Sequence, residues 1–181
     1  NYDPLTGMLN RHRFTEVLGN ELEAVDRTDL MHGLLFIDLD QFKYVNDTCG
    51  HPAGDRLIRK VADQLTRTIH TKGIVARFGG DEFAVLVGEV DSKEAREIAD
   101  KILEDMRRLA HIEEGNVFHV HCSIGITMID SDKFDHDELI AQADIACREA
   151  KENGRNRLKF YSMSAQEAEK IVADVGWVSK L

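Results

Sequence analysis

Apolar and polar positions along this chain switch repeatedly between a helical period and runs too short for a helix. Over residues 10–26, Phe14, Val17, Leu18, Leu22 and Val25 recur three or four positions apart behind Asn10, a good helix N-cap. Residues 32–39 are almost continuously apolar and run into Asp38 and Asp40, the pattern of a central strand buried on both faces. A brief helix is expected over 42–47, stopped by Gly50. A longer one follows over 54–69, with Leu57, Ile58, Val61, Ala62, Leu65 and Ile69 on its apolar stripe. Residues 74–77 and 83–87 read as short strands around Gly79-Gly80-Asp81-Glu82, a β-hairpin. An amphipathic helix is predicted over 92–109, buried through Ala95, Ile98, Ala99, Ile102, Met106 and Leu109. A single strand over 118–128 comes next, then a helix over 137–151 and a closing strand over 158–161.

Helices alternating with strands around one central hairpin predict an α/β sandwich with a mixed sheet, in the order of an extended ferredoxin-like arrangement. The 181 residues suit one domain, and no repeat or Pro-rich linker divides them. A net charge of −10 argues against a nucleic-acid partner, because such binders carry a basic footprint. An anionic small ligand would therefore need a cation or a local group of donors. The three cysteines have no CxxC spacing and point to a reducing cytoplasm. No apolar run approaches the ~18 residues that span a bilayer, so no membrane contact is expected of this domain. Opening on Asn1, the chain reads as a piece of a longer protein whose other parts include sensor or membrane segments.

The chemistry gathers at two predicted strand tips. Asp38 and Asp40 close the first strand, and Asp81 and Glu82 lie in the hairpin turn. If those strands are neighbours, carboxylates converge and stay ionised only beside a cation. Magnesium suits them, being held by one or two carboxylates plus substrate phosphates. Asp40 taken alone is equally well a strand-end acid facing water. Gly79 and Gly80 favour the functional reading, since a missing Cβ permits unusual backbone angles and close approach by a ligand.

Lys43 stands at the start of the brief helix, where backbone N–H groups and a lysine form a phosphate cradle around Phe42. A second basic group, Lys151 and Arg155, marks the end of the last long helix, where cations are also ordinary. Between the carboxylate segments lies 46–55, dense in polar residues and glycine and including Asn46, His51 and Asp55, which reads as a loop built to hold something. Asn and Asp can pair with a guanine edge, though Asp55 also suits a helix cap.

Taken together these phrases resemble the GGDEF family of diguanylate cyclases. Asp3-Pro-Leu-Thr-Gly-Met-Leu-Asn-Arg11, Phe36-Ile-Asp-Leu-Asp-Gln-Phe-Lys43, Asn46-Asp47 with Gly50-His51, Gly54-Asp55, Arg77-Phe-Gly-Gly-Asp-Glu-Phe83, Ser123-Ile-Gly125, Ala143-Asp144, Ala150-Lys151 and Gly154-Arg155-Asn156 stand in the family's order across about residues 3–161. The resemblance implies that Asp38, the carbonyl of Leu39 and Asp81 ligate Mg²⁺, with Mn²⁺ as a substitute. Glu82 would assist deprotonation of a ribose 3′-hydroxyl or hold a second metal. Asn46 and Asp55, beside His51, would bind guanine, while Lys43, Lys151, Arg155 and the N–H groups around Phe42 hold the triphosphate. By the same likeness each domain binds one GTP, and two face each other as a homodimer to make cyclic di-GMP.

The chain departs from the family in places. The inhibitory RxxD site is replaced by His70-Thr-Lys-Gly73, which predicts no product inhibition there. The usual Ala-Leu-Tyr-x-Ala-Lys reads Ala146-Cys147-Arg148-Glu149-Ala150-Lys151, and Cys49 replaces an aromatic. From Ser164 a capping box precedes an apolar spacing at Ala168, Ile171, Val172, Val175 and Val178. We read residues 162–181 as a connector helix leading into an EAL phosphodiesterase domain. Two rival functions stand beside the cyclase: a GTP-binding module that regulates such a neighbour, and another nucleotidyl cyclase or polymerase-like palm domain.

Overall fold

A computed structural model describes residues 1–25, 31–131 and 133–162. The connector expected over 162–181 lies outside these, apart from Ser162, as does the end of the first helix at Asp26. The elements are α1 (Arg11–Val25), β1 (His32–Leu39), α2 (Phe42–Cys49), α3 (His51–Ile69), β2 (Gly73–Gly79), β3 (Glu82–Val87), α4 (Ser92–Arg107), β4 (Ala110–Glu113), β5 (Asn116–His119), β6 (Cys122–Ile129), α5 (His136–Glu152) and β7 (Leu158–Phe160). Five strands form one sheet in the order β2-β3-β1-β6-β7, antiparallel except for the β6–β7 pair. The β1-α3-β2-β3-α4-β6 path is the ferredoxin-like core, and α5 with β7 extends it. No described helix is long and apolar enough to cross a membrane.

Period-two alternation decides which face of the sheet each side chain serves. Leu35, Ile37 and Leu39 of β1, with Phe83, Val85 and Val87 of β3, pack against α3 and α4. Leu34, Phe36, Ala84 and Leu86 pack on the other face against Phe14, Leu18 and Leu22 of α1 and Leu139, Ile140, Ala143 and Cys147 of α5. Both faces are covered, which is why the β1 segment is apolar throughout. The same alternation puts Asp38 and Glu82 on the α1/α5 face, and they are direct partners across the β1–β3 ladder.

Four expectations need correction. The long central helix begins at His51, not Gly54, because Pro52 occupies its first turn, where a missing N–H costs nothing. The polar stretch 46–55 is therefore two helices broken at Gly50, and Asp55 lies inside the second instead of capping it. The strand predicted over 118–128 is two, β5 and β6, with Val120 and His121 between them. Val120 N–H reaches back to the Leu109 carbonyl (3.4 Å) while the His121 carbonyl accepts from Asp40 N–H (3.0 Å), so the chain crosses between sheets there. Helix α4 stops at Arg107, and Ala110–Glu113 joins β5 in a separate two-stranded sheet around Glu114-Gly115.

Candidate active site at the carboxylate end of the sheet

The β2–β3 turn is built from the backbone outward. Gly79 and Gly80 have φ of 139° and 49°, conformations that favour glycine, and Gly79 pairs with Glu82 so that Gly80 and Asp81 make the tip. Arg77 fastens that tip: its Nε and Nη2 donate to the Gly80 carbonyl (3.1 and 2.8 Å) and its Nη1 to Asp3 Oδ1 (3.0 Å). Asp3 in turn accepts from Thr6 N–H and Thr6 Oγ1–H (2.9 and 2.7 Å). Both partners are nearly buried, at 13% and 12% exposed, so this ion pair is shielded from solvent. The Asp81 carbonyl accepts from Leu39 N–H (3.2 Å), which ties the turn to the end of β1. Asp3 and Arg77 appear in the motif phrases, yet nothing in their spacing reveals that they meet.

Asp38 and Asp81 come together here. Burial pushes the Asp38 carboxyl up to about 7, helped by the hydrogen bond and charge of Asp81, while Lys151 pulls the other way. Lys151 Nζ from the last turn of α5 lies 3.1 Å from Asp38 Oδ2. Asp38 Oδ1 is buried and receives no hydrogen bond. A buried, unpaired carboxylate oxygen beside a second carboxylate is what a hard cation completes. The donor set thus fits Mg²⁺. Among the described residues no three His, Cys, Asp or Glu side chains converge on one point. Two carboxylates would leave the remaining positions to water and phosphate. Burial also raises the Glu82 carboxyl, followed by the charges of Asp38 and Asp144. Asp144 is a member of this acidic group to which its place in the sequence attached no role.

The other site residues lie on three elements. Helix α2 starts at Phe42 with no side-chain cap from Gln41, leaving its first-turn N–H groups and exposed Lys43 toward solvent. Asn46 on α2 is packed against α3: a Cβ at Gly54 would overlap its Oδ1, which is buried without a partner. Asp55 and His51 are exposed along α3. Arg155 is exposed just beyond α5 and adopts φ 61°. Asp40 is no solvent-facing strand end. It accepts from Ser123 Oγ–H (2.7 Å) and Asn156 N–H (3.0 Å). Of the departures, Cys147 is a core residue whose thiol donates to the Ser123 carbonyl (3.3 Å), and exposed Arg148 lies 4.0 Å from Asp144.

The sequence profile of the family described as "Diguanylate cyclase, GGDEF domain" matches residues 1–157. The chain is 41% identical over 160 residues to a probable diguanylate cyclase, DgcE, of Escherichia coli K12, covering 88% of this chain and 14% of that protein. It is 33% identical over 161 residues to the cyclic di-GMP phosphodiesterase NbdA of Pseudomonas aeruginosa, covering 89% of this chain and 20% of that protein. It thus spans a small part of each relative. Among solved structures, the isolated GGDEF domain of TpbB (YfiN) from P. aeruginosa is similar with a TM-score of 0.83 and 31% identity, over 90% of this chain and 95% of that one.

Proposed function

Because this chain belongs to the GGDEF, diguanylate cyclase, family, we propose that it condenses two GTP into cyclic di-GMP and two pyrophosphates with Mg²⁺, as a homodimer. The observation that carries this reading is the buried, unpaired Asp38 Oδ1 beside Asp81, at the tip of a ladder that also presents Glu82. When bound, the divalent ion supplies charge neutralisation for the phosphates and the reacting oxygens. The chain's own groups do the rest. Asp38, Asp81 and the Leu39 carbonyl hold the ion. Lys43, Lys151, Arg155 and the uncapped N–H groups of α2 around Phe42 bind the triphosphate, and Asn46 and Asp55, flanked by His51, read guanine. Glu82, with its raised affinity for a proton, takes the proton of an attacking 3′-hydroxyl or holds a second ion.

One domain holds one nucleotide, so ring closure needs a second domain facing it. With His70 and Gly73 where the RxxD charges would stand, the product does not inhibit at that position. EAL or sensor domains are its neighbours in the parent protein, and the domain itself works in the cytoplasm. Incubation with GTP and Mg²⁺ at several protein concentrations tests this. Cyclic di-GMP rising more steeply than protein concentration is expected; GTP consumed to any other product refutes it. The phosphodiesterase relative favours a second reading, a GTP-binding module that regulates an adjacent EAL domain. GTP binding with no product at any protein concentration would select it.

A further inference from the structure

The turn that follows α5 has an unusual backbone. Gly154, Arg155 and Asn156 have φ of 122°, 61° and 51°, three successive residues in the left-handed region, two of them with side chains. L-residues leave that region unless neighbouring groups hold them. Arg155 N–H donates to the Ala150 carbonyl (3.0 Å) and Arg157 Nε to the Arg155 carbonyl (3.0 Å), bonds confined to the turn and its helix. From outside, Arg107 Nε donates to Asn156 Oδ1 (3.1 Å). Two further tethers come from the sheet: Asp40 Oδ2, just past β1, accepts from Asn156 N–H at 3.0 Å while Oδ1 is held by Ser123 Oγ–H at 2.7 Å, and Ile124 N–H of β6 donates to the Arg157 carbonyl at 2.9 Å. Asp40's own backbone is fixed by its N–H to the His121 carbonyl.

We infer that Asp40 is a positioning residue for Arg155. It locks the turn that presents this cation at a set distance from the Asp38 carboxylate, two residues away along the chain. The inference rests on the proposed reading of Arg155 and Lys151 as triphosphate ligands. Asp40 touches no substrate in this arrangement; its effect passes through the Asn156 amide. Guanine recognition, placed on α2 and α3, does not involve the tether. Loss of Asp40 therefore weakens the hold on phosphates and leaves the hold on the base.

Titration of the chain with guanosine and with the α,β-methylene analogue of GTP, which cannot release pyrophosphate, separates these effects. With Mg²⁺ present, Asp40→Ala should weaken the analogue roughly tenfold, as for loss of one well-held charged contact, and leave guanosine unchanged. Asp40→Asn, which can accept from Asn156 N–H and donate to Ser123 Oγ, should restore the analogue's affinity. Should Asp40→Ala fail to fold, Ser123→Ala reads the same link by freeing one carboxylate oxygen, with a smaller loss confined to the analogue. Equal weakening of both ligands, or none for the analogue, overturns the inference. If the unaltered chain binds the analogue no better than guanosine, the triphosphate reading itself fails, and the positioning role with it.

Discussion

Two antiparallel hairpins stand among the described residues, and the proposed site lies at the tip of one of them. In the β2–β3 hairpin, β3 is covered on both faces of the sheet, and the tip is held by Arg77, Asp3 and the end of β1. The β4–β5 hairpin also turns through residues at positive φ, Glu114 and Gly115 at 50° and 82°, but forms its own two-stranded sheet. It is fastened on one side, through Arg56 to Glu113 (2.7 and 2.7 Å) and Lys60 to the Ala110 carbonyl (3.0 Å), and exposes Ile112 and Val117 on the other. A turn at positive φ alone therefore does not make a site. Carboxylates are kept close where several independent contacts over-determine the backbone, because their mutual repulsion must be resisted before an ion arrives.

The sharpest way to break this contrast is at the tips. Asp81→Ala should abolish cyclic di-GMP synthesis, a loss of a thousandfold or more on the order of other lost electrostatic groups. Glu114→Ala in the second turn should leave turnover unchanged. Comparable losses in the two, read by product chromatography, would erase the distinction. Next in size is the fastening. Arg77→Ala should cost roughly a hundredfold in kcat, as a misplaced reacting group does, with divalent-ion binding weakened as well. Arg56→Ala, the matching cut in the second hairpin, should lower Tm and leave kcat alone.

Acidity sharpens the contrast further. The Asp38 carboxyl is raised from 3.8 to about 7, so the folded metal-free domain keeps it mostly neutral below that pH. Its contribution to stability is fully present below 3.8 and is lost as pH rises toward about 7. An ion needs the anion, so divalent affinity should rise about tenfold per pH unit below that point and level off above it. Asp38→Asn should flatten the Tm–pH profile of the metal-free domain; an unchanged slope would place the effect elsewhere. The smallest difference is in packing. Val85→Ala should cost about 2 kcal/mol and Val117→Ala under about 0.5 kcal/mol in chemical denaturation.

The hairpins also differ in how plainly the residues announce them. An apolar run covered on both faces, a glycine pair and alternating strands are local signals, and β1 with the β2–β3 turn follows from them. The second hairpin hides because Ala110-His-Ile-Glu continues the apolar spacing of α4, and Phe118 continues the alternation of β6 across two residues that belong to neither sheet. The site is legible where its residues are adjacent, as in Asp81-Glu82, and where a known family's phrases recur. Its supports are not. Asp3 meets Arg77 across 74 positions and Asp40 meets Asn156 across 116, and no periodicity encodes such pairs. Asp40, which in sequence reads equally well as a solvated strand end or as one of the site carboxylates, instead serves the Ser123 hydroxyl and the Asn156 amide.

The central claim is that Asp38 and Asp81 jointly hold one divalent ion. Electron paramagnetic resonance titration of the chain with Mn²⁺ and the α,β-methylene analogue of GTP tests it most directly. The account predicts a Mn²⁺ site whose binding is lost in Asp38→Asn and in Asp81→Asn alike. Retention of that site in either variant would contradict it.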